Sequence, residues 1–359
     1  MLSLLDAAAL SVWPKARTPR LAEFLLAQSP ETLLADPLIA ALEFVTGAPA
    51  DALAASLRQG GGQALERASK AGVEAVPWGD PRYPPLLATI PDPPVMLWIR
   101  GECESLRRPA VALVGSRGPS LYGLDAANVL AGELASGGIT VVSGLARGID
   151  SAAHRAALQA GGPTIAVLGS GVDQVYPAEH AALADSIARA GAVVSELPPG
   201  APPRAFHFPA RNRIISGLSL VIVVVEAAEQ SGSLITAECA ALQARDVLAV
   251  PGSIFSGRQA GCHALIRDGA GIAACAADVH WAVKSSHLRR FVGDAAPPMT
   301  LSDPLLDGMI PGEPYDIDAL ARQSGLAPAA LLSQLLELEL QGAVRRADGS
   351  RFVRVSRTC

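Results

Sequence analysis

From Pro109 to about Arg290, short apolar runs rich in β-branched residues alternate with longer runs of helical spacing. Val111–Val114, Ile139–Val142, Thr164–Leu168, Ala192–Ser195, Leu220–Glu226 and Val247–Val250 read as strands apolar on both faces. Leu121–Ala135, Ser151–Gln159, Ala178–Ala190 and Leu234–Ala244 read as helices lying between most of them. This alternation predicts an α/β fold: a doubly wound parallel sheet with right-handed crossovers. Ligands on such sheets bind at the carboxyl ends of the strands.

The pattern changes on either side of this core. Residues 1–75 carry helical spacing at Leu21–Gln28, Pro30–Ala35, Ala50–Arg58 and Gln63–Lys70, with Gly60-Gly61-Gly62 as a break. Pro30 and Pro49 suit first helical turns, so a small helical module is expected. Residues 76–108 are dense in proline, which excludes regular helix and predicts a connector packed on the core. Val95–Ile99 fits an edge strand there. The core with its connector then spans 76–290, and a linker spans 291–305.

Residues 306–359 have a different rhythm. Asp316–Gln323, Ser324-Gly325-Leu326, Pro328–Gln341 and Val344–Val355 read helix, turn, helix and hairpin, with Asp348-Gly349 as the hairpin turn. This is a winged-helix pattern. A helix that reads DNA presents Arg, Lys, Asn or Gln to base edges. Here Ala329–Gln341 offers Gln334, Glu337, Glu339 and Gln341 among leucines. The wing is basic, with Arg345, Arg346, Arg351 and Arg354. A protein contact, or contact through the wing alone, is expected of it.

Three small-residue turns fall at strand ends: Gly115-Ser116-Arg117, Ser143-Gly144-Leu145-Ala146-Arg147-Gly148 and Ser231-Gly232-Ser233. Each precedes a helix, where backbone N–H groups and the helix dipole favour anions. Asp150 reads as the N-cap of Ser151–Gln159. Arg147 either adds a phosphate-binding fork or sits on the surface. Neither GxGxxG nor GxxxxGK[ST] occurs, so a dinucleotide fingerprint and a P-loop are both missing. Arg204–Arg213 holds three Arg and no acid around Phe206, His207 and Phe208. On an irregular loop, such residues suit single-stranded nucleic acid: arginine meets the backbone and rings stack the bases. The alternative is that Phe206 and Phe208 are core and the arginines solvated.

Composition limits these readings. Net charge is −5, so any nucleic-acid contact must be a local patch. Lysine occurs only at Lys15, Lys70 and Lys284; arginine suits phosphate binding, but a GC-rich genome produces the same bias and is the weightier reading of it. Cys103, Cys239, Cys262, Cys275 and Cys359 are odd in number and lack CxxC spacing, so reduced thiols are expected. No metal or other cofactor is expected. The N-terminal apolar run lacks a basic region before it, and no apolar run reaches bilayer length. A soluble, cytoplasmic protein with no membrane contact is expected.

Taken together, GSR at 115–117, SGLARGID at 143–150, AAHRAAL at 152–158, YP at 176–177, SE at 195–196, FPARNRIISGLS at 208–219, VVVEA at 223–227, SGSLITA at 231–237 and AVPG at 249–252 resemble the DNA-processing protein A family (DprA, or Smf). The resemblance covers roughly residues 80–275, and the connector's RYPPLLATIPDPP shares it. His263 stands where the family motif often has Asn. The resemblance implies a Rossmann-like fold that binds and protects single-stranded DNA without base specificity. It also implies loading of the RecA recombinase during natural transformation, a homodimer through the core, and no catalysis. Carried onto this chain, Arg117 and the segment Arg211, Asn212, Arg213 form a basic groove. The turns holding Gly115, Ser116, Ser143, Gly144, Arg147, Ser231, Gly232 and Ser233 take phosphate, and Phe208 or Phe206 stacks a base. Leu265, Ile266 and Ile272 are the candidates for the dimer interface, beside the apolar stretch Gly269–Ala277. Residues 1–75 resemble a SAM/HhH-like module only in helical character.

Two other functions compete. Related Rossmann-like enzymes hydrolyse nucleoside monophosphates with a PGGxGTxxE motif. This chain has SGSLITAE there, leaving Glu226 and Glu238 as candidate acid–base groups. The third reading is an assembly scaffold that binds no DNA.

Overall fold

The computed structural model describes residues 2–13, 21, 24, 36–292, 304–307, 309, 314–324, 326, 328–340, 344–347 and 351–354. Two compact units divide the chain, Met1–Phe291 and Val292–Cys359.

Nine strands form the sheet of the first unit: β1 (Glu74–Pro77), β2 (Met96–Gly101), β3 (Ala110–Val114), β4 (Thr140–Ser143), β5 (Thr164–Val167), β6 (Ala192–Ser195), β7 (Val221–Val224), β8 (Asp246–Ala249) and β9 (Gly271–Ile272). Their order is β1-β2-β6-β5-β4-β3-β7-β8-β9. From β6 to β9 every neighbouring pair is parallel. β2 runs antiparallel to β6, and β1 to β2. The chain proceeds from β3 outward through β4, β5 and β6, then returns to β7 on the other side of β3. The strand order therefore reverses between β3 and β7, the place where doubly wound sheets hold ligands.

Eleven helices accompany this sheet: α1 (Leu4–Ser11), α2 (Pro37–Thr46), α3 (Asp51–Lys70), α4 (Pro85–Ala88), α5 (Leu121–Ser136), α6 (Ile149–Gln159), α7 (Ala181–Ala190), α8 (His207–Gly217), α9 (Leu234–Leu242), α10 (Ala260–Arg267) and α11 (Ala276–Val292) among the described residues. The central strands β3 to β7 are largely apolar because both faces are covered. Ala112, Val114, Ile222 and Val224 pack with Ile214 and Leu218 of the α8 region. Their neighbours Val111, Leu113, Val221 and Val223 pack with Leu130, Leu134 and Ala153 from α5 and α6. Alternate residues of one strand thus feed two cores.

Several expectations are corrected here. Gly60-Gly61-Gly62 does not break a helix; α3 runs through it. A Cβ on Gly61 would lie 2.5 Å from the Ala9 amide nitrogen, so the glycine lets α1 approach closely. Val95–Ile99 is no edge strand, since β2 pairs on both sides. Beyond the expectations lie α1, α2, α8, α10, α11, β1 and β9, and also α4, a single turn within the proline-dense connector where no helix is expected. Residues 1–75 share a core with the sheet: Ala7, Ala8, Ala64 and Ala68 pack with Met96 and Trp98. Arg58 ties these helices by ion pairs to Asp6 (2.7 Å) and Asp36 (2.9 Å). The expected helices at Leu21–Gln28 and Pro30–Ala35 fall outside the described residues, apart from Leu21 and Phe24.

In the second unit, α12 (Pro304–Asp307), β10 (Pro314–Asp316), α13 (Ile317–Ser324), α14 (Pro328–Leu340), β11 (Val344–Ala347) and β12 (Arg351–Arg354) form a winged helix. Its sheet has the order β10-β12-β11, around a core of Leu320, Leu331, Leu335, Leu338 and Phe352. The hairpin turn Asp348-Gly349 and the linker residues 293–303 lie outside the described residues.

Candidate nucleic-acid interface

Where the strand order reverses, the carboxyl ends of β3 and β7 open into a cleft of about 870 Å³. Of the residues expected at a site, Gly115, Ser116, Arg117, Phe208, Arg211, Asn212, Ser231, Gly232 and Ser233 line it.

The turn after β3 forms one wall. A Cβ on Gly115 would come within 2.7 Å of Ile149 Cγ1 and 2.9 Å of the Glu226 carbonyl oxygen, so only glycine fits. The Ser116 amide donates to that carbonyl at 2.7 Å, and its hydroxyl accepts from the Gly118 amide at 3.2 Å. Arg117 is left exposed at the tip. Its guanidinium carbon lies 5.8 Å from the centre of the Phe208 ring. Phe208 in turn packs on Tyr176, with centroids 5.5 Å apart and the rings tilted by 47°. One cation and two rings thus share the cleft, the pairing that cation–π attraction favours.

The segment Arg204–Arg213 is not an irregular loop: α8 begins at His207. Pro209 falls in its first turn, where the missing N–H costs nothing. Helical spacing then sorts the side chains. Phe208, Arg211 and Asn212 share the face toward the cleft, while Arg213 points to the opposite side. Asn212 Nδ2 donates to the Gly232 carbonyl at 3.3 Å, fixing the turn after β7 to α8. The hydroxyls of Ser231 and Ser233 meet at 2.8 Å, and no side chain caps the start of α9.

The second turn departs from its expected role. Asp150 is not an N-cap; Gly148 holds that position with φ +78°. The Asp150 carboxylate instead accepts from the amides of Gly144 (3.2 Å) and Ala146 (3.3 Å). Those N–H groups are therefore engaged internally. Above Asp150 lies Arg211, 5 % exposed, donating to the carbonyls of Gly144 (2.7 Å) and Val167. Burial pulls the Arg211 pKa down to about 10 and pushes that of Asp150 up. Gly144 sits under this guanidinium. Ser143 is buried, its hydroxyl donating to the Leu113 carbonyl at 2.6 Å.

Three further expected residues lie outside the cleft wall. Arg147 is exposed and pairs with Glu179 at 2.6 Å. Phe206 lines a different cavity. Arg213 is nearly buried between Asp92 (3.0 Å) and Glu196 (2.9 Å). Burial opposes its charge, yet the two carboxylates outweigh this and raise its pKa. Sequence reading also gave no role to Tyr176. Its signal is the YP pair at a strand-to-helix connection.

The candidate acid–base groups have different surroundings. The buried Glu226 carboxylate accepts from the Ser120 amide at 3.0 Å and from the Ser120 hydroxyl, at the start of α5. Glu238 is exposed on α9. Leu265 and Ile266, on α10, pack partly against the core, while Ile272 is exposed on the outermost strand, β9. His263 Nε2 lies 3.1 Å from the Gly252 carbonyl oxygen. No single helix among the described residues is long and apolar enough to cross a membrane.

Comparison with known proteins adds to this geometry. The family profile described as DNA recombination-mediator protein A matches residues 74–284, and that of the DprA winged helix domain matches 293–350. Protein Smf of Escherichia coli is 41% identical over 286 residues, covering 77% of this chain and 76% of its own. DNA processing protein DprA of Streptococcus pneumoniae is 48% identical over 200 residues, 56% of this chain and 71% of its own. The X-ray structure of DprA from Streptococcus pneumoniae superposes with a TM-score of 0.67 at 37% identity, covering 78% of this chain and 98% of that one. DNA processing protein A from Helicobacter pylori, whose structure was described for its single-stranded DNA binding mode, gives 0.53 at 27% identity, covering 61% and 96%.

Proposed function

The chain belongs to the DNA recombination-mediator protein A family, and on that premise we propose that the cleft between β3 and β7 binds single-stranded DNA without regard to base sequence. The observation that carries this is Arg117 over the Phe208–Tyr176 ring pair. Arg117 takes a phosphate, and the positive end of the α9 dipole beside Ser231 and Ser233 takes another. The rings stack a base, which any base satisfies. Each of these contacts is indifferent to sequence.

The bound strand is then handed to the RecA recombinase, as in natural transformation. The protein works in the cytoplasm as a homodimer joined through the exposed β9 edge and α10. The role is one of binding without catalysis. Glu226 supports this, because its carboxylate is engaged by Ser120.

Titration of the full chain with oligo-dT across salt tests the cleft. Arg117→Ala should flatten the slope of log K against log salt by ~0.7. Phe208→Leu should weaken binding by roughly 1–3 kcal/mol with the slope unchanged. If both variants bind as the wild type does, the cleft is not the site.

A further inference from the structure

The segment 202–206 is a wall between two cavities. Pro203 and Ala205 line the cleft. Pro202, Arg204 and Phe206 line a second cavity, of about 270 Å³. Ser11, Trp13, Asp92, Glu196, His207 and Arg213 form the rest of its polar and aromatic lining. Phe206 is 64 % exposed at this cavity, and its ring meets His207 edge-on with centroids 4.4 Å apart. An exposed phenyl ring held in place is costly to leave in water and is a ready platform for a flat aromatic ligand.

The charges choose between the parts of a nucleotide. Inside the cavity Arg213 is already matched by Asp92 and Glu196. Those carboxylates repel a phosphate but leave room for a neutral base. Arg204, exposed at the rim two residues from Phe206, supplies the cation a neighbouring phosphate needs. An exposed cation and an exposed ring two residues apart on one rim suit a single strand as it crosses the wall.

We infer that this cavity is a second nucleobase site, filled by a base of the same strand that occupies the cleft. The inference rests on the cleft reading for its starting point. The strand lies in the cleft, crosses the wall at 202–206, and places one base on Phe206 with its phosphate on Arg204. Affinity therefore rises in a step when the strand becomes long enough to cross.

A length series of oligo-dT, titrated against the full chain, reads the step directly. Phe206→Leu should lower affinity roughly tenfold for strands that cross, and leave shorter ones unchanged. Arg204→Ala should lessen the salt slope by ~0.7 for the long strands only. Phe206→Trp should keep the step, with fluorescence quenched by long strands and not by short ones. Equal binding by Phe206→Leu and wild type at every length overturns the inference, as does an equal loss at every length. Arg117→Ala serves as the separate control: it lowers binding at all lengths if the cleft reading holds, and its failure to do so rejects that reading whether or not the Phe206 step is seen.

Discussion

The guanidinium of Arg211 lies so close over Gly144 that a Cβ there would come within 2.4 Å of Nη2. The end of an arginine can usually swing aside. This one is pinned, because it donates to the Gly144 and Val167 carbonyls at the ends of β4 and β5. Gly144→Ala should therefore lose roughly 1–3 kcal/mol of stability, the cost of one displaced buried hydrogen bond. Arg211→Met should lose more, roughly 3–5 kcal/mol, because buried Asp150 is left without its cation. Denaturant unfolding measures both. Wild-type stability in Gly144→Ala would mean that Arg211 moves without cost.

Arg117 and Arg213 looked alike in sequence and differ in structure. Arg213 is clamped by Asp92 and Glu196, while Arg117 is exposed at the cleft. Arg213→Met should lower the melting temperature and leave the salt slope of single-strand binding unchanged. Arg117→Ala should do the reverse. A flattened slope in a well-folded Arg213→Met would return that residue to the DNA site.

This pair shows what was legible. The six parallel strands β3 to β8 were legible because burial on both faces makes them largely apolar, and their boundaries follow within two residues; β1 and β9, at the exposed edges, were not. The cleft was legible because small-residue turns collect at strand ends. The division of labour within it was not. Which arginine meets solvent depends on Asp92, 121 residues away in sequence, reaching Arg213. The role of Asp150 depends on Gly148 taking a left-handed turn before it. Those contacts come from the fold, and no local spacing encodes them.

The same limit explains Gly60-Gly61-Gly62. Glycine lowers helix propensity by about 1 kcal/mol per residue, so the run reads as a break. Packing against α1 overrides it, because only glycine lets the Ala9 backbone come so near. Gly61→Ala should gain helix propensity and still destabilise the protein, by roughly 1–3 kcal/mol of overpacking. Thermal melting decides, and a stabilised variant would show that α1 yields.

His154 gives the fold a dependence on pH. It is fully buried, and burial holds its pKa down at about 3. Thr164 donates its hydroxyl to the Val141 carbonyl, so His154 Nδ1 must donate to Thr164 Oγ1, at 2.7 Å. Nε2 is left bare and without a partner. The unfolded chain takes a proton at pH about 6.5, and the folded chain resists until about 3. Stability from this group is complete above 6.5 and falls as pH drops through that window, by at most about 1.4 kcal/mol per pH unit. His154→Asn keeps the contact with Thr164 and removes the titration. Its stability relative to wild type should improve steadily from pH 6.5 toward 4, and a constant difference would reject the assignment.

The winged helix is the last candidate for the DNA contact, and its side chains argue against a main role. In α14, Leu331, Leu335 and Leu338 are buried in the unit's own core, leaving Leu332 exposed and Glu339 half-buried. An acid on a helix lying in a groove faces phosphates on both sides, which opposes binding. Two of the wing arginines are engaged within their own unit. Arg354 donates to the carbonyls of Leu306 (2.5 Å) and Met309 (3.2 Å), within its own unit. Arg346 lies over the Phe352 ring, 5.6 Å from its centre. Arg351 is exposed, and Arg345 is outside the described side chains. Removing residues 292–359 should therefore leave most of the affinity for oligo-dT, with a loss of salt slope smaller than one phosphate contact's ~0.7. What it should alter is binding to a duplex or to a protein. Side-by-side titration of the full chain and of residues 1–291 against a single strand and a duplex measures this. If the shortened chain still melts as a folded core but no longer binds the single strand, the winged helix holds the site, and Arg117 and Phe208 do not.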